Sequence, residues 1–322
     1  MARRRGLRAW RGPAAALAVL AIGLLSATVF FHHGALAPKS YDATVLADHP
    51  VAFWEMRATG ATEPDLAGHG HTGTYKGGAP TLVRMPNGEK AASFNGAGEY
   101  LTVPSSSAFS IPTAQQLTWE AWIRPTVLQF TSASDPSGLG YVNWMGKCQN
   151  YSPSCEWGAR MYSAVNSERR CNRLSAYVFN PGAALGGGAD WQPACKLLAA
   201  GQWLYVVGEY QTQSTPPGCN SAHPGTIDIW VNGVRWHPSY HARTGCMSQY
   251  SITPQAGSSP LNIATMALNT RFQGAIGKVA IYDSLLSQAQ ISAHFAAMTG
   301  SRPFGGCAAT CAIPVPTPSR PT

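Results

Sequence analysis

Stretches in which apolar and polar residues alternate are the feature that most constrains the fold of this chain. Residues 117–123 and 226–231 follow a period of two, which is typical of strands with one buried face. The second stretch runs into Asn232-Gly233, a dipeptide preferred in two-residue hairpins because both positions tolerate positive φ. Strands at this spacing predict an all-β fold of two antiparallel sheets packed face to face. The residues expected to face inward are Leu117, Trp119, Ala121, Ile123, Ile227, Ile229 and Val231.

The composition agrees with this fold class. The chain has 322 residues, and only 12% are charged, whereas Gly (33) and Pro (24) are plentiful. Many short strands joined by turns need such a composition, and a helical bundle does not.

One short C-terminal helix is expected after residue 286. Ser287 and Gln290 have the spacing of a capping box, in which each side chain bonds the backbone N–H of the other residue. Ile291, Phe295 and Met298 then share one side of the helix, and Gly300 ends it.

The positive charge of the chain is concentrated at its N-terminus. Residues 1–37 contain five arginines and no acid, and removing them from the net charge of +8 leaves 18 basic against 15 acidic residues. The remaining charges are scattered, so we expect no nucleic-acid partner.

Residues 1–37 have the pattern of an export segment. The arginines precede an uncharged apolar run at residues 13–31, whose length lies between that of a signal peptide and that of a spanning helix. Residues 35–37 resemble a signal cleavage site, but Pro38 follows them and disfavours cleavage. Both a cleaved signal and a retained membrane anchor fit, and Pro38 favours the anchor. Either way, the body is expected on the extracellular side of the cytoplasmic membrane, secreted or anchored.

All eight cysteines follow the apolar run, and an even number in an exported chain predicts disulfides of unknown pairing. A metal site is the weaker alternative, because no C-x-x-C pair is present. The cysteines are Cys148, Cys155, Cys171, Cys195, Cys219, Cys246, Cys307 and Cys311.

The expected organisation is a linker at 38–45, a folded body at 46–300 and a disordered Pro-rich tail at 301–322. Within the body, residues 125–200 and 211–260 are longer than a sandwich requires and contain six of the cysteines. We interpret these two stretches as disulfide-stapled loop insertions, which commonly carry specificity.

Several segments in order resemble a known family. Residues 45–55 and 65–75 resemble the front of a laminin-G-like jelly roll of the concanavalin A-like lectin/glucanase superfamily, and residues 272–283 resemble its rear strand. The segments similar to its intervening strands are residues 91–96, 100–104, 117–125, 200–210 and 228–233. The resemblance implies a non-catalytic binding or adhesion module whose partner is a glycan or another cell-surface ligand, most often a carbohydrate.

The resemblance also implies one structural calcium ion, with Asp65 among its ligands. The rear strand of relatives carries an acidic pair, where this chain has Gly277-Lys278. A lysine opposes a calcium ion, so the alternative is that Asp65 only stabilises its own turn.

No catalytic motif is evident. Glu63-Pro64-Asp65 is the sole E-x-D, and it lacks the third acid of the paired-carboxylate motif. We therefore expect no enzyme. A glycoside hydrolase or lyase on the same fold, and a protein–protein adhesion domain of the cell envelope, are the alternatives.

Aromatic residues near the cysteines are the candidate sugar-stacking groups, with polar neighbours to bond the hydroxyls. The alternative is that these aromatics fill small cores beneath the disulfides. The candidates are Trp144, Tyr151, Trp157, Trp191, Asn143, Asn150, Arg160 and Arg169.

Overall fold

A computed structural model of the chain describes residues 40–57, 59–149, 154–169, 171–180, 185–191, 198–215, 219–236, 246–247 and 251–300. The expected export segment and Pro-rich tail lie outside this part of the chain, as do Asn150, Tyr151, Cys195, Cys307 and Cys311. In the described ranges, no helix has both the length and the apolar character needed to cross a membrane.

Two antiparallel sheets of eight strands form the described body, which confirms the two-sheet sandwich. The first sheet has the order β14-β13-β12-β7-β16-β5-β4, with β1 also paired to β16, and the second has the order β11-β10-β9-β8-β15-β6-β3-β2. The strands are β1 (Ala52–Trp54), β2 (Thr62–Glu63), β3 (Gly73–Lys76), β4 (Thr81–Arg84), β5 (Lys90–Asn95), β6 (Tyr100–Val103), β7 (Gln116–Pro125), β8 (Tyr141–Lys147), β9 (Trp157–Tyr162), β10 (Arg173–Asn180), β11 (Leu185–Trp191), β12 (Leu204–Gln211), β13 (Thr226–Val231), β14 (Val234–Trp236), β15 (Leu261–Ile263) and β16 (Gln273–Tyr282).

The main core lies between the sheets. All seven residues predicted to face inward from β7 and β13 are buried in it. Trp119 meets Trp144 of the opposite sheet edge to face, with ring centroids 5.5 Å apart. The predicted hairpin is also confirmed, because Asn232 and Gly233 both have positive φ between β13 and β14.

A second core lies on the outer face of the first sheet, beneath helices α1 (Tyr41–Leu46) and α3 (Gln288–Thr299). Phe295 of α3 stacks on Trp122, with centroids 5.8 Å apart. The capping box of Ser287 and Gln290 is present, and Gly300 ends the helix at φ 68°, as predicted. Helix α2 (Ile111–Ala114) and a 3-10 turn (Ser107–Phe109) precede β7.

A buried polar network joins α3 to the sheet. His294 Nδ1 lies 2.9 Å from Glu120 Oε2, and its Nε2 lies 2.9 Å from Asp48 Oδ2. The hydroxyls of Tyr205 and Tyr282 donate to the same Glu120 carboxylate. Burial alone would lower the pKa of His294, but the charges of Glu120 and Asp48 outweigh it and raise that pKa.

Two boundary predictions need correction. Much of the expected linker at 38–45 belongs to α1, where Tyr41 and Val45 are buried in the second core. Residues 125–200, expected to be loop insertions, contain β8, β9, β10 and β11, which make up half of the second sheet. Alternate residues there pack into the main core because they are apolar, as Val142, Ala159 and Leu174 illustrate.

Cysteine pairing agrees with the disulfide prediction. Cys148 bonds Cys155, and Cys219 bonds Cys246. Cys171 is also disulfide-bonded, and no described cysteine is free.

Candidate functional site

A cavity of about 550 Å³ opens on the outer face of the first sheet, near its β14 edge. We call it the polar groove. Its floor consists of Glu209, Asp228 and Trp230, and its walls carry amide, hydroxyl and guanidinium groups. The polar wall residues are Gln116, Gln211, Gln213, Ser214, Thr226, Arg235 and Gln288.

Strand alternation and register assemble the floor. Because Ile227, Ile229 and Val231 point into the core, the residues between them point outward. Asp228 is paired directly across from Glu209 of β12, and Trp230 lies across from Arg235 of β14. Directly opposed side chains on one face are about 5 Å apart at Cβ, so these four groups form one patch.

The floor groups hold one another in place. Arg235 Nη2 donates to Asp228 Oδ2 at 2.5 Å, and the guanidinium lies 5.7 Å from the centre of the Trp230 ring. The indole Nε1 of Trp230 donates to Glu209 Oε2 at 2.6 Å.

Glu209 has a perturbed acidity. Burial raises its pKa to about 7, and the charge of Asp228 acts in the same direction, against the indole hydrogen bond from Trp230 and the charge of Arg235. Near neutral pH the floor therefore holds a carboxyl that is partly protonated beside a carboxylate that is paired with Arg235.

The walls present amides whose orientation is fixed. Gln211 Nε2 donates to Ser214 Oγ at 3.0 Å and to Thr226 Oγ1 at 3.1 Å. Gln288 Nε2 donates to the Gly233 carbonyl at 2.9 Å, which ties the start of α3 to the β13–β14 hairpin. The Gln116 amide makes no hydrogen bond to any described residue and is available to a ligand.

Two of the proposed sugar-stacking tryptophans lie in the main core. Trp144 and Trp157 are fully buried between the sheets and leave no ring face open to a sugar. Their place in regular strands explains this, because both fall on the inward side of the alternation. Trp191 is partly buried and packs against the same core, while Arg169 is exposed in a loop. A sugar-binding role for Trp191, Arg169 and the rest of the set remains a prediction.

Asn143 and Arg160 are brought together on the outer face of the second sheet. Arg160 Nε donates to Asn143 Oδ1 at 2.9 Å. Its guanidinium lies 3.8 Å from the centre of the Tyr177 ring and 4.3 Å from that of Tyr141. These contacts place both residues inside a packed tyrosine–arginine cluster.

Asp65 lies in a turn rich in backbone donors. Its Oδ1 accepts the N–H groups of Phe53 and Ala67, each at 3.0 Å, and its Oδ2 accepts that of His71 at 3.1 Å. Three N–H donors suit an anion, so this carboxylate stabilises its own turn, and a calcium-ligand role for Asp65 remains a prediction. Within the described ranges, no group of three His, Cys, Asp or Glu side chains is arranged to hold a metal ion.

The sequence model of the concanavalin A-like lectin/glucanases superfamily matches residues 95–292. The chain belongs to this superfamily. A search of curated proteins finds no match.

Comparison with solved structures gives matches of low sequence identity. Domain 4 of AbnA, a GH43 extracellular arabinanase from Geobacillus stearothermophilus in complex with arabinotriose, is 15% identical with a TM-score of 0.47, covering 76% of this chain and 97% of that one. A second match is a structure reporting that cell entry of botulinum neurotoxin type C depends on interaction with two ganglioside molecules. It is 11% identical, has a TM-score of 0.53, and covers 80% of this chain and 53% of that one. A receptor binding domain is 12% identical, has a TM-score of 0.55, and covers 81% of this chain and 53% of that one. This chain thus spans about half the length of the last two, and at 11–12% identity only the fold is shared with them.

The polar groove was missed by sequence reasoning. Once Ile227, Ile229 and Val231 are assigned inward, Asp228 and Trp230 must face outward, which is a usable signal. Their partner Glu209 lies on another strand, and only the register of β12 against β13 reveals that pairing.

Proposed function

We propose that this chain is a non-catalytic binding module of an exported protein that holds an uncharged glycan in the polar groove. The observation that carries the proposal is the groove itself, in which amides and hydroxyls surround the floor of Glu209, Asp228 and Trp230. Its volume of about 550 Å³ is that of a small-ligand site.

Sugar hydroxyls need partners that both donate and accept hydrogen bonds. Glutamine side chains supply both functions, and four of them line the groove. Gln211 and Gln288 are already oriented by bonds to the protein, so a ligand would not have to order them.

The charges of the groove favour an uncharged ligand. Among its described lining residues the sole cation is Arg235, which is paired with Asp228. An anionic glycan would meet the Asp228 carboxylate without a free cation to offset it.

Export is supported by the two described disulfides, which form and persist in oxidising compartments. Recovery of the native chain from the cytoplasm with reduced thiols would contradict this part of the proposal.

The test is a screen of the purified chain against neutral, uronate-containing and sulfated oligosaccharides, followed by titration calorimetry. We expect binding to neutral sugars, and Q116A and Q211A should each weaken it by about five- to tenfold, the value of one hydrogen bond. Q202A, an exposed glutamine outside the groove, is the matched control and should bind like the wild type. The proposal is wrong if no neutral sugar binds, or if both groove variants bind like the control. A protein partner captured without competition from sugars would instead support an adhesion domain.

A second candidate function, glycoside hydrolysis, is favoured by one observation. Burial raises the pKa of Glu209 to about 7, so this carboxyl can hold a proton directly across from Asp228, which is paired with Arg235. Both acids are largely screened from solvent on the groove floor, which is why we rank this function second. Release of reducing sugar from a polysaccharide panel, abolished in E209Q, would place hydrolysis first.

A further inference from the structure

A buried lysine is surrounded by three carboxylates on the outer side of the first sheet. The side chain of Lys278 has no exposed surface. Its Nζ lies 2.5 Å from Asp42 Oδ1, 3.1 Å from Glu55 Oε1 and 2.7 Å from Glu89 Oε2. The three acids come from α1, from the residue after β1 and from the turn before β5, so the ammonium ties together segments far apart in the chain.

An irregularity in β16 directs Lys278 to this place. The pairing of β16 with β7 shifts between Gly277 and Ala280, and Lys278 adopts φ 53° there. Gly277 has to be small, because a Cβ at this position would lie 2.7 Å from Ala91 Cβ and 3.0 Å from Met85 Sδ. The surroundings therefore account for both residues. Gly277 fits where a Cβ would clash, and Lys278 supplies the positive charge that the three carboxylates need.

The electrostatics show that the ammonium stays charged. Burial alone would lower the pKa of Lys278, but the three carboxylates outweigh it and raise that pKa. Burial raises the pKa of Asp42 to about 6, while hydrogen bonds from Lys278 oppose the rise. For Glu89, burial is outweighed by Lys278 and Asn87, and its pKa is lowered. A single internal cation thus compensates an acidic cluster.

We propose that Lys278 takes the place of a bound metal cation in this chain. Its ammonium is the counter-ion of Asp42, Glu55 and Glu89, and the sandwich is consequently stable without a divalent metal. The surroundings of Asp65, the expected calcium ligand, are consistent with this proposal. Backbone N–H groups already provide hydrogen bonds to its carboxylate. The three acidic oxygens lie 2.5–3.1 Å from the position of Nζ. Calcium–oxygen distances are about 2.3–2.6 Å, so small movements would let a calcium ion occupy the vacated space if the lysine were shortened.

The experiment measures thermal unfolding of the full chain in EDTA and in excess calcium chloride. Wild type should have the same Tm in both. K278Q leaves one buried and two partly exposed acids without their cation and should lower Tm in EDTA by about 10 °C, with calcium restoring part of the loss. K278R keeps the charge and should not respond to calcium.

K147Q is the matched control. Lys147 is equally buried and pairs with one carboxylate, that of Glu156, so its loss should lower Tm with no recovery in calcium. A wild-type Tm that falls in EDTA would overturn the proposal without any variant. So would a K278Q Tm equal to that of wild type, or a K278Q Tm that calcium does not raise more than that of K147Q.

Discussion

His294 shows how one residue can make the stability of this chain depend on pH. It bridges Glu120 and Asp48. The hydroxyls of Tyr205 and Tyr282 also donate hydrogen bonds to the Glu120 carboxylate. Because the folded-state pKa of His294 is raised, its contribution is complete below the unfolded pKa of 6.5 and is lost as pH rises through the folded value.

We therefore expect H294Q to lower the free energy of unfolding by about 2–3 kcal/mol near pH 6, and by less toward pH 9. Urea unfolding at a series of pH values measures this difference. H69Q removes an exposed histidine and serves as the control, which should leave the curve of the wild type unchanged. A deficit in H294Q that grows with pH would contradict the assignment.

At the scale of the element, α3 depends on its first turn as well as on its buried face. Ser287 Oγ accepts the Gln290 N–H at 3.3 Å, and Gln290 Oε1 accepts the Ser287 N–H at 2.8 Å. S287A should cost about 1 kcal/mol in the free energy of unfolding, since it leaves an end donor of the helix without a partner. S287T retains the oxygen and should cost only a few tenths. Equal losses in the two variants, measured by chemical denaturation, would show that the cap does not contribute.

Elements also differ in how far sequence can predict them. The C-terminal helix was predicted, because its capping box, apolar side and terminal glycine are all local signals. Helix α1 was missed: with six residues it is too short to be stable alone, and it forms because Tyr41 and Val45 pack beneath α3. Strands β8 to β11 were missed because the cysteines of residues 125–200 suggested stapled loops, although inward residues alternate along β9 at Trp157, Ala159 and Met161.

At the scale of the whole molecule, disulfides close two loops of different length. Cys219–Cys246 spans 27 residues and Cys148–Cys155 spans 7. In the chain-entropy account the longer loop stabilises more, so C219S/C246S should lose about 3 kcal/mol and the double variant at Cys148 and Cys155 should lose less. Guanidinium unfolding of the two variants in parallel provides the comparison. The reverse order would indicate that local packing, such as that of Met266 against Cys148 and Cys155, outweighs loop entropy.

The candidate site could not be predicted from the sequence, because its residues are brought together only by strand register. Asn143 and Arg160 do meet, yet they meet each other inside a packed cluster. The groove instead joins Gln116, Glu209 and Asp228 from three strands and Gln288 from a helix. Each of these residues is unremarkable in its own segment, and register alone places them together.

The sequence by itself determined the sandwich, because alternation, turn dipeptides and helix caps act within a few neighbouring residues. It also determined which residues of β7 and β13 enter the core. Only the tertiary structure decided what faces outward together: the polar groove, the His294 network and the three acids around Lys278. Those assemblies depend on the burial of side chains and on short distances between charged groups from distant segments. Both arise only when strand pairing brings those segments together in the folded chain.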